Sequence, residues 1–396
     1  MTETGKGLLE SLLQTEVGAA RLEGAFAADP DLGVTWRAQE ALTEAVRSVG
    51  LEGVVVGEGD VALRSLDARA GASETARGAW LASEVFRLLR NPPDPFRDIE
   101  SAVSRCVRAG ANESGEVGPE GVDIEDLKPF VSPERSPLIS ALRGAVAMRD
   151  LTFSANPAAE RLFFMSLDSA ARGGRAGRDD VLDPGILETG FSFGRGANWV
   201  LMPSAALSSD GFRPWSPGSP KGLRDLLSGL ESQVGRGLGA LPGLRRWRSR
   251  AVSASGARHG KSRFQDLVRV LMERPIVSAP AVAELIGVTS RTGLNLLKEA
   301  EEAGVVKLVT PRRSYRAWAA TPMAERVRGR VTAPGKRGPV PVADAETGFP
   351  EQDRTASPPR TSQETRGEAE ALEELDAAMA AADRVLSRIG KKRDDT

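Results

Sequence analysis

Cysteine is nearly absent from this 396-residue chain: Cys106 stands alone. One cysteine excludes an internal disulfide and a cysteine-based metal site. It lies on a helical pattern between Val103 and Val107, so a buried structural thiol is expected. Histidine also occurs once, as His259 in the segment RHGKSR. Histidine-based nucleophile–base pairs and zinc sites built on His and Cys fall away with it. Aromatic residues make up only 5% of the chain. There is no run of 18 apolar residues, so no membrane span is expected. The first residues, MTETGKGLLESLLQTE, have neither the basic start nor the apolar core of a signal peptide, and a cytoplasmic location is expected. No Walker phosphate loop and no paired-carboxylate motif stand out, and the Gly/Arg stretch from Arg172 to Asp180 contains no GxGxxG. No catalytic residue, cofactor or metal is expected, and the chain does not read as an enzyme.

What is present supports real cores, with 40% hydrophobic residues and length for two or three domains. The 42 glycines and 25 prolines imply that part of the chain is linker. Net charge is −1, but it is unevenly placed. From Arg236 to Arg337 there are 21 Lys and Arg against 7 Asp and Glu. A basic module is therefore carried by an acidic remainder, and it can attract nucleic-acid phosphates locally.

Within that basic region, 263–320 reads as a winged helix-turn-helix. Phe264, Leu267, Val268 and Leu271 recur at i, i+3, i+4 and i+7, one face of a first helix, which Pro275 stops. Ser278 can cap a second helix, with Pro280 tolerated in its first turn and Val282, Leu285 and Ile286 on its buried side. Gly287 permits a tight turn because it reaches positive φ without a Cβ clash. Thr289 or Ser290 caps a third helix whose buried face is Gly293, Leu296, Leu297, Ala300 and Ala303. Gly293 is small where the second helix should cross closely. After Gly304, Val305, Val306, Leu308 and Val309 begin a strand, a basic turn spans 310–314, and Tyr315, Ala317 and Trp318 start the return strand. Three helices followed by a two-stranded wing are expected. The solvent side of the third helix offers Thr289, Ser290, Arg291, Asn295 and Lys298, donors suited to base edges and phosphates. On the wing, Arg312, Arg313 and Arg316 suit backbone phosphates or the minor groove. A winged helix that serves protein interaction, with a merely solvated basic face, is the alternative.

The rest of the chain is mainly helical by pattern. Helices are expected over 8–28, 36–49, 74–90, 99–107, 138–148 and 158–167, and over 223–238, where Gly229, Gly235 and Gly237 weaken the pattern. The stretch 109–135 reads as a linker, 136–240 as a second helical region and 241–262 as a basic connector, either loop or helix end. Phe191 to Leu201 is ambiguous between strand and helix. Composition marks 321–367 as a disordered linker. Leu372, Leu375, Met379, Ala382, Leu386 and Ile389 then form a short heptad seam over 368–390, suited to a homo-oligomer or to docking on the body.

The block ERPIVSAPAVAELIGVTSRTGLNLLKEAEEAGVV with RRSYRAWAA resembles the helix-turn-helix of an uncharacterised bacterial family, common in rhizobia and often plasmid-borne. That family pairs a Fic-like N-terminal half with this C-terminal domain. TEAVRSVGLEGVVV and ASETARGAWLASEVFRLLR are similar to its N-terminal helices, so 1–108 is the Fic-N-like region. The resemblance implies that Ser48, Glu52 and Gly53 match the (S/T)xxxE(G/N) pattern of the Fic inhibitory helix. A helix end, with Leu51 in the core and Gly53 at the cap, accounts for the same residues. The Fic signature HxFxDGNGRxxR is absent, so adenylyl transfer is not expected. The expected protein is mainly α: a helical body, a winged helix-turn-helix that binds double-stranded DNA, and a disordered tail ending in a short helix. It would be a transcriptional regulator or a plasmid-maintenance factor. A protein-interaction adaptor and a catalytically dead Fic-derived protein are the alternatives.

Overall fold

The computed structural model describes residues 3–61, 74–110, 124–133, 136–152, 156–173, 197–209, 211–256, 262–310 and 316–328. His259, Arg312, Arg313 and the seam at 368–390 lie outside them. The fold is mainly α-helical, with one small antiparallel sheet near the C-terminal end of the described chain. Among the described residues no helix is long and apolar enough to cross a membrane.

The body begins with α1 (Glu3–Ala28) and α2 (Pro30–Leu51). Asp29 separates them and caps α2, accepting from the Leu32 amide at 3.3 Å. Then come α3 (Glu74–Arg90), α4 (Ile99–Gly110), α5 (Pro137–Leu151), α6 (Pro157–Gly173), the short α7 (Pro203–Leu207) and α8 (Pro220–Gly256). The bounds of α3 are those the sequence pattern predicts. Part of the expected linker at 109–135 is ordered: Ile124–Leu127 makes one helical turn whose Leu127 is fully buried. Cys106 is buried against Ser166, and burial pushes its thiol up to about 12 despite that contact.

α8 is longer than its glycines suggest. It runs through Pro242 and takes in most of the expected connector, 241–256. Gly229 is a contact rather than a weakness, since a Cβ there would meet the Ala206 carbonyl oxygen at 2.5 Å. Gly237 likewise lets α8 pass over Trp36.

The segment 197–202 is neither strand nor helix, yet Trp199, Val200 and Leu201 are fully buried. Buried backbone needs partners, and side chains supply them. Asp168 accepts from the amides of Val200 (3.0 Å) and Leu201 (3.3 Å). Arg37 donates to the Trp199 carbonyl at 2.9 Å, and Gln233 bonds both Met202 and Val200. Just beyond, Glu44 receives the amides of Ser204 and Ala205 at the start of α7. This explains why the body interior holds so many charged residues. Arg172 belongs to the same network, buried at the end of α6 on Asp168 and Glu23 rather than in the expected turn. Ser48 and Glu52 meet Arg161: its guanidinium donates to the Ser48 carbonyl at 3.1 Å and to Glu52 at 2.7 Å. Gly53 follows at φ +84, closing α2 as a helix cap.

The module comprises α9 (Phe264–Glu273), β1 (Ile276–Ser278), α10 (Ala279–Ile286), α11 (Ser290–Glu302), β2 (Val306–Leu308) and β3 (Ala317–Ala320). The expected two-stranded wing is a three-stranded sheet of order β1-β3-β2. β1 pairs antiparallel with β3, Val277 opposite Trp318, in the short connection between Pro275 and α10. The first residues of the expected disordered linker, Thr321–Arg328, form a helix, α12. Met323, Ala324 and Val327 fall on one face and are buried, a local pattern hidden by the Pro- and Gly-rich composition that follows.

Body and module share a core. Trp247 and Ala251 of α8 are buried with Phe264, Leu271, Leu297 and Trp318. On the other side of the joint, Arg326 of α12 pairs with Glu40 at 2.8 Å and with Glu58 at 3.1 Å.

Candidate nucleic-acid interface

The interface is built around the α10–α11 corner. Ser278 caps α10 by accepting from the Ala281 amide at 3.3 Å. Gly287, at φ 66 and ψ 46, ends that helix, with the Val288 amide reaching back to the Ala283 carbonyl at 2.9 Å. Thr289 then caps α11, accepting from the Thr292 amide at 3.2 Å. Gly293 sets the closeness of the two helices: a Cβ there would meet the Ala279 carbonyl oxygen at 2.8 Å and the Ala283 amide at 3.3 Å. The buried side of α11 is Gly293, Leu296, Leu297 and Ala300, and Ala303 is half-buried.

Thr289, Ser290, Arg291, Asn295 and Lys298 are all exposed. Arg291, Asn295 and Lys298 are spaced by four and three residues, so they form one row along the helix. Thr292 is exposed as well, its hydroxyl 2.9 Å from that of Thr289. The acidic residues of α11 lie at its other end, as Glu299, Glu301 and Glu302. The N-terminal half is thus cationic and rich in donors, and in helix-turn-helix proteins that half reads base edges. Glu301 is engaged internally, receiving the Trp318 indole N–H at 3.0 Å and the Leu308 amide at 3.4 Å.

Arg316 is exposed at the entry to β3. The tip between Thr310 and Arg316, with Arg312 and Arg313, lies outside the described residues. The structure adds a cation that periodicity could not place. Arg263 donates to the carbonyl of Ile286, the last residue of α10, and pairs with Asp266 at 3.1 Å, so it stands beside the turn into α11 with its side chain half exposed and its charge shared with that carboxylate. Only its position in a basic run hinted at a role. Ser278, Gly287, Thr289 and Gly293 therefore shape the corner, while Arg291, Asn295, Lys298 and Arg263 present charge and hydrogen-bond donors at its surface.

No curated protein matches the chain. Residues 264–320 match the model of a family described as an HTH DNA-binding domain.

Proposed function

We propose that this protein binds double-stranded DNA sequence-specifically in the cytoplasm and acts as a transcriptional regulator, or as a plasmid-maintenance factor. In this reading the N-terminal half of α11 enters the major groove. Arg291 and Asn295 contact base edges, Lys298 and Arg263 contact phosphates, and the β2–β3 turn with Arg312, Arg313 and Arg316 serves as a wing on the backbone. The strongest support is the exposed Arg291–Asn295–Lys298 row, directly after a capped turn in a segment that matches a DNA-binding family. The test is selection of bound duplexes from a random pool, repeated with Arg291→Ala at several salt concentrations. Enrichment of one motif by the wild-type protein and its blurring in the variant is the expected result. Retention of no duplex at low salt would instead favour a protein-interaction module.

The body is proposed to be a non-catalytic descendant of a Fic-like ancestor. The support for the ancestry is the spacing of Ser48, Glu52 and Gly53, and the non-catalytic part of the reading rests on the sequence lacking HxFxDGNGRxxR. Homo-oligomer formation through 368–390 belongs to the same proposal, and deletion of 368–396 should then lower the number of chains in the sedimenting particle.

A further inference from the structure

Where α12 meets the body lies a cleft of about 610 Å³, a volume suited to a small organic molecule. Part of its lining is apolar, from Met202, Ala205 and Ala240 with Trp36 beside them. The rest is charged. Three guanidiniums, those of Arg47, Arg236 and Arg326, line it with two carboxylates, Glu40 and Glu58. Arg326 engages both carboxylates. Arg236 forms no hydrogen bond or ion pair among the described residues and is exposed.

Two of the four buried side-chain atoms that lack a hydrogen-bond partner among the described residues belong to this wall: Glu58 Oε2 and Trp36 Nε1. Glu58 Oε1 accepts from Thr43 and from Arg326, whereas Oε2 receives nothing. A buried carboxylate oxygen left without a donor is uncommon and calls for an explanation. The Trp36 N–H faces Gly237 and is closed off there, so it does not contribute to the site.

We propose that this cleft binds a small organic acid that also carries a hydrogen-bond donor, a hydroxy or amino carboxylate. Its acid group sits with Arg236 and Arg47, its donor meets Glu58 Oε2, and its apolar part covers Met202, Ala205 and Ala240. Oε2 is closed to solvent in the free protein, so the ligand's donor reaches it only as the Glu58 carboxylate turns away from Arg326. Binding therefore loosens the clasp that holds α12, and with it β3, on the body. This second step rests on the DNA-binding reading above, and a ligand that shifts that balance changes DNA affinity.

The test is calorimetry on the full chain with paired probes: lactate against propionate, malate against succinate, and phenyllactate and phenylalanine against phenylpropionate. At least one hydroxy or amino acid should bind, tenfold or more tighter than its donor-free partner. Ala240→Phe fills the cleft from an exposed helix position, and Arg236→Glu reverses the seating charge. Each should weaken binding at least tenfold while leaving the thermal midpoint of the free protein in place. Absence of heat for every probe at millimolar concentration, or binding that survives both substitutions, overturns the site. Separately, the bound acid should change wild-type DNA affinity severalfold and leave that of Ala240→Phe unchanged. An acid that binds without this change overturns the coupling. A protein that retains no duplex fails the DNA reading, while calorimetry still decides the site.

Discussion

The indole N–H of Trp247, on the long body helix α8, donates to the carbonyl oxygen of Val305 in the module at 2.8 Å. Trp247 is buried among the module's own core residues. Trp247→Ala should cost about 3–5 kcal/mol, and Trp247→Phe about 1–3 kcal/mol, since much of the ring area is kept while the hydrogen bond and part of the packing are lost. Val305 retains the Thr321 amide at 3.1 Å in either case. Denaturant unfolding checks the ranking. Equal losses for the two variants would mean that the hydrogen bond, not the packing, ties α8 to the module.

Arg291→Ala should weaken binding to the preferred duplex by about 1–3 kcal/mol and relax the preference at one base position. Arg313→Ala should weaken binding to all duplexes alike and lower the salt slope by about one. Competition titrations against matched and scrambled duplexes separate the two. Identical profiles for both variants would remove Arg291 from base readout.

Glycines in two helices should respond oppositely to alanine. At Gly293 a Cβ runs into backbone atoms of α10, so Gly293→Ala forces the helices apart at about 1–3 kcal/mol and lowers DNA affinity with it. Gly239, within α8, has nothing within 4 Å of a Cβ, and Gly239→Ala should stabilise by about 0.5–1 kcal/mol. Thermal midpoints that move the same way for both would contradict the described crossing.

Asp29 is held below the usual carboxylate range by its hydrogen bond with Arg248, against the opposing pull of burial and with help from the Leu32 amide. Arg248 Nη2 lies 2.6 Å from Asp29 Oδ2. A depressed folded pKa stabilises above the unfolded value, about 3.9, and that contribution is lost as pH falls through the folded value. Asp29→Asn keeps a good cap and should cost about 0.5–1 kcal/mol near neutral pH. The gap between variant and wild type should close as acidity increases below pH ~3.9, and urea midpoints across that range measure it.

Glu52→Gly leaves Arg161, only 2% exposed at its side chain, without its carboxylate. Losing one partner of a fully buried pair costs about 3–5 kcal/mol. Here about 2–3 kcal/mol is expected, because the Glu52 side chain is 19% exposed. The same variant should transfer no AMP to itself or to lysate proteins, and labelling with radioactive ATP reports this directly. Labelled bands would restore an enzymatic body.

The helices were legible where a local cue existed. Pro92 and Pro93 stop α3, Gly287 ends α10, and Thr289 starts α11. The corner was legible for the same reason, since its caps and its tight crossing rest on neighbouring residues. What escaped depends on partners far along the chain. β1 is three consecutive buried residues with no alternation to reveal it, and it exists because β3 lies alongside. The path of 197–202 is fixed by Arg37, Asp168 and Gln233, contributed from three helices. α12 is short, and the Pro- and Gly-rich composition that follows it hides its one-sided pattern. Arg263 had no periodic signal, and its place beside the turn depends on the Ile286 carbonyl.

β3 is the middle strand of the sheet although it is the last of the three in the chain. Among the described strands β1 hydrogen-bonds only to β3, so Ile276 waits for Ala319. On a ribosome, the first strand therefore emerges long before its neighbour, and it cannot be templated by β2. The α10–α11 corner can form from local contacts while the sheet is still open, because closing a long loop is the slower event. A chain truncated before Ala317 would have to hold the α10–α11 corner on an unclosed sheet, with neither β3 for β1 nor the Trp318 indole for Glu301.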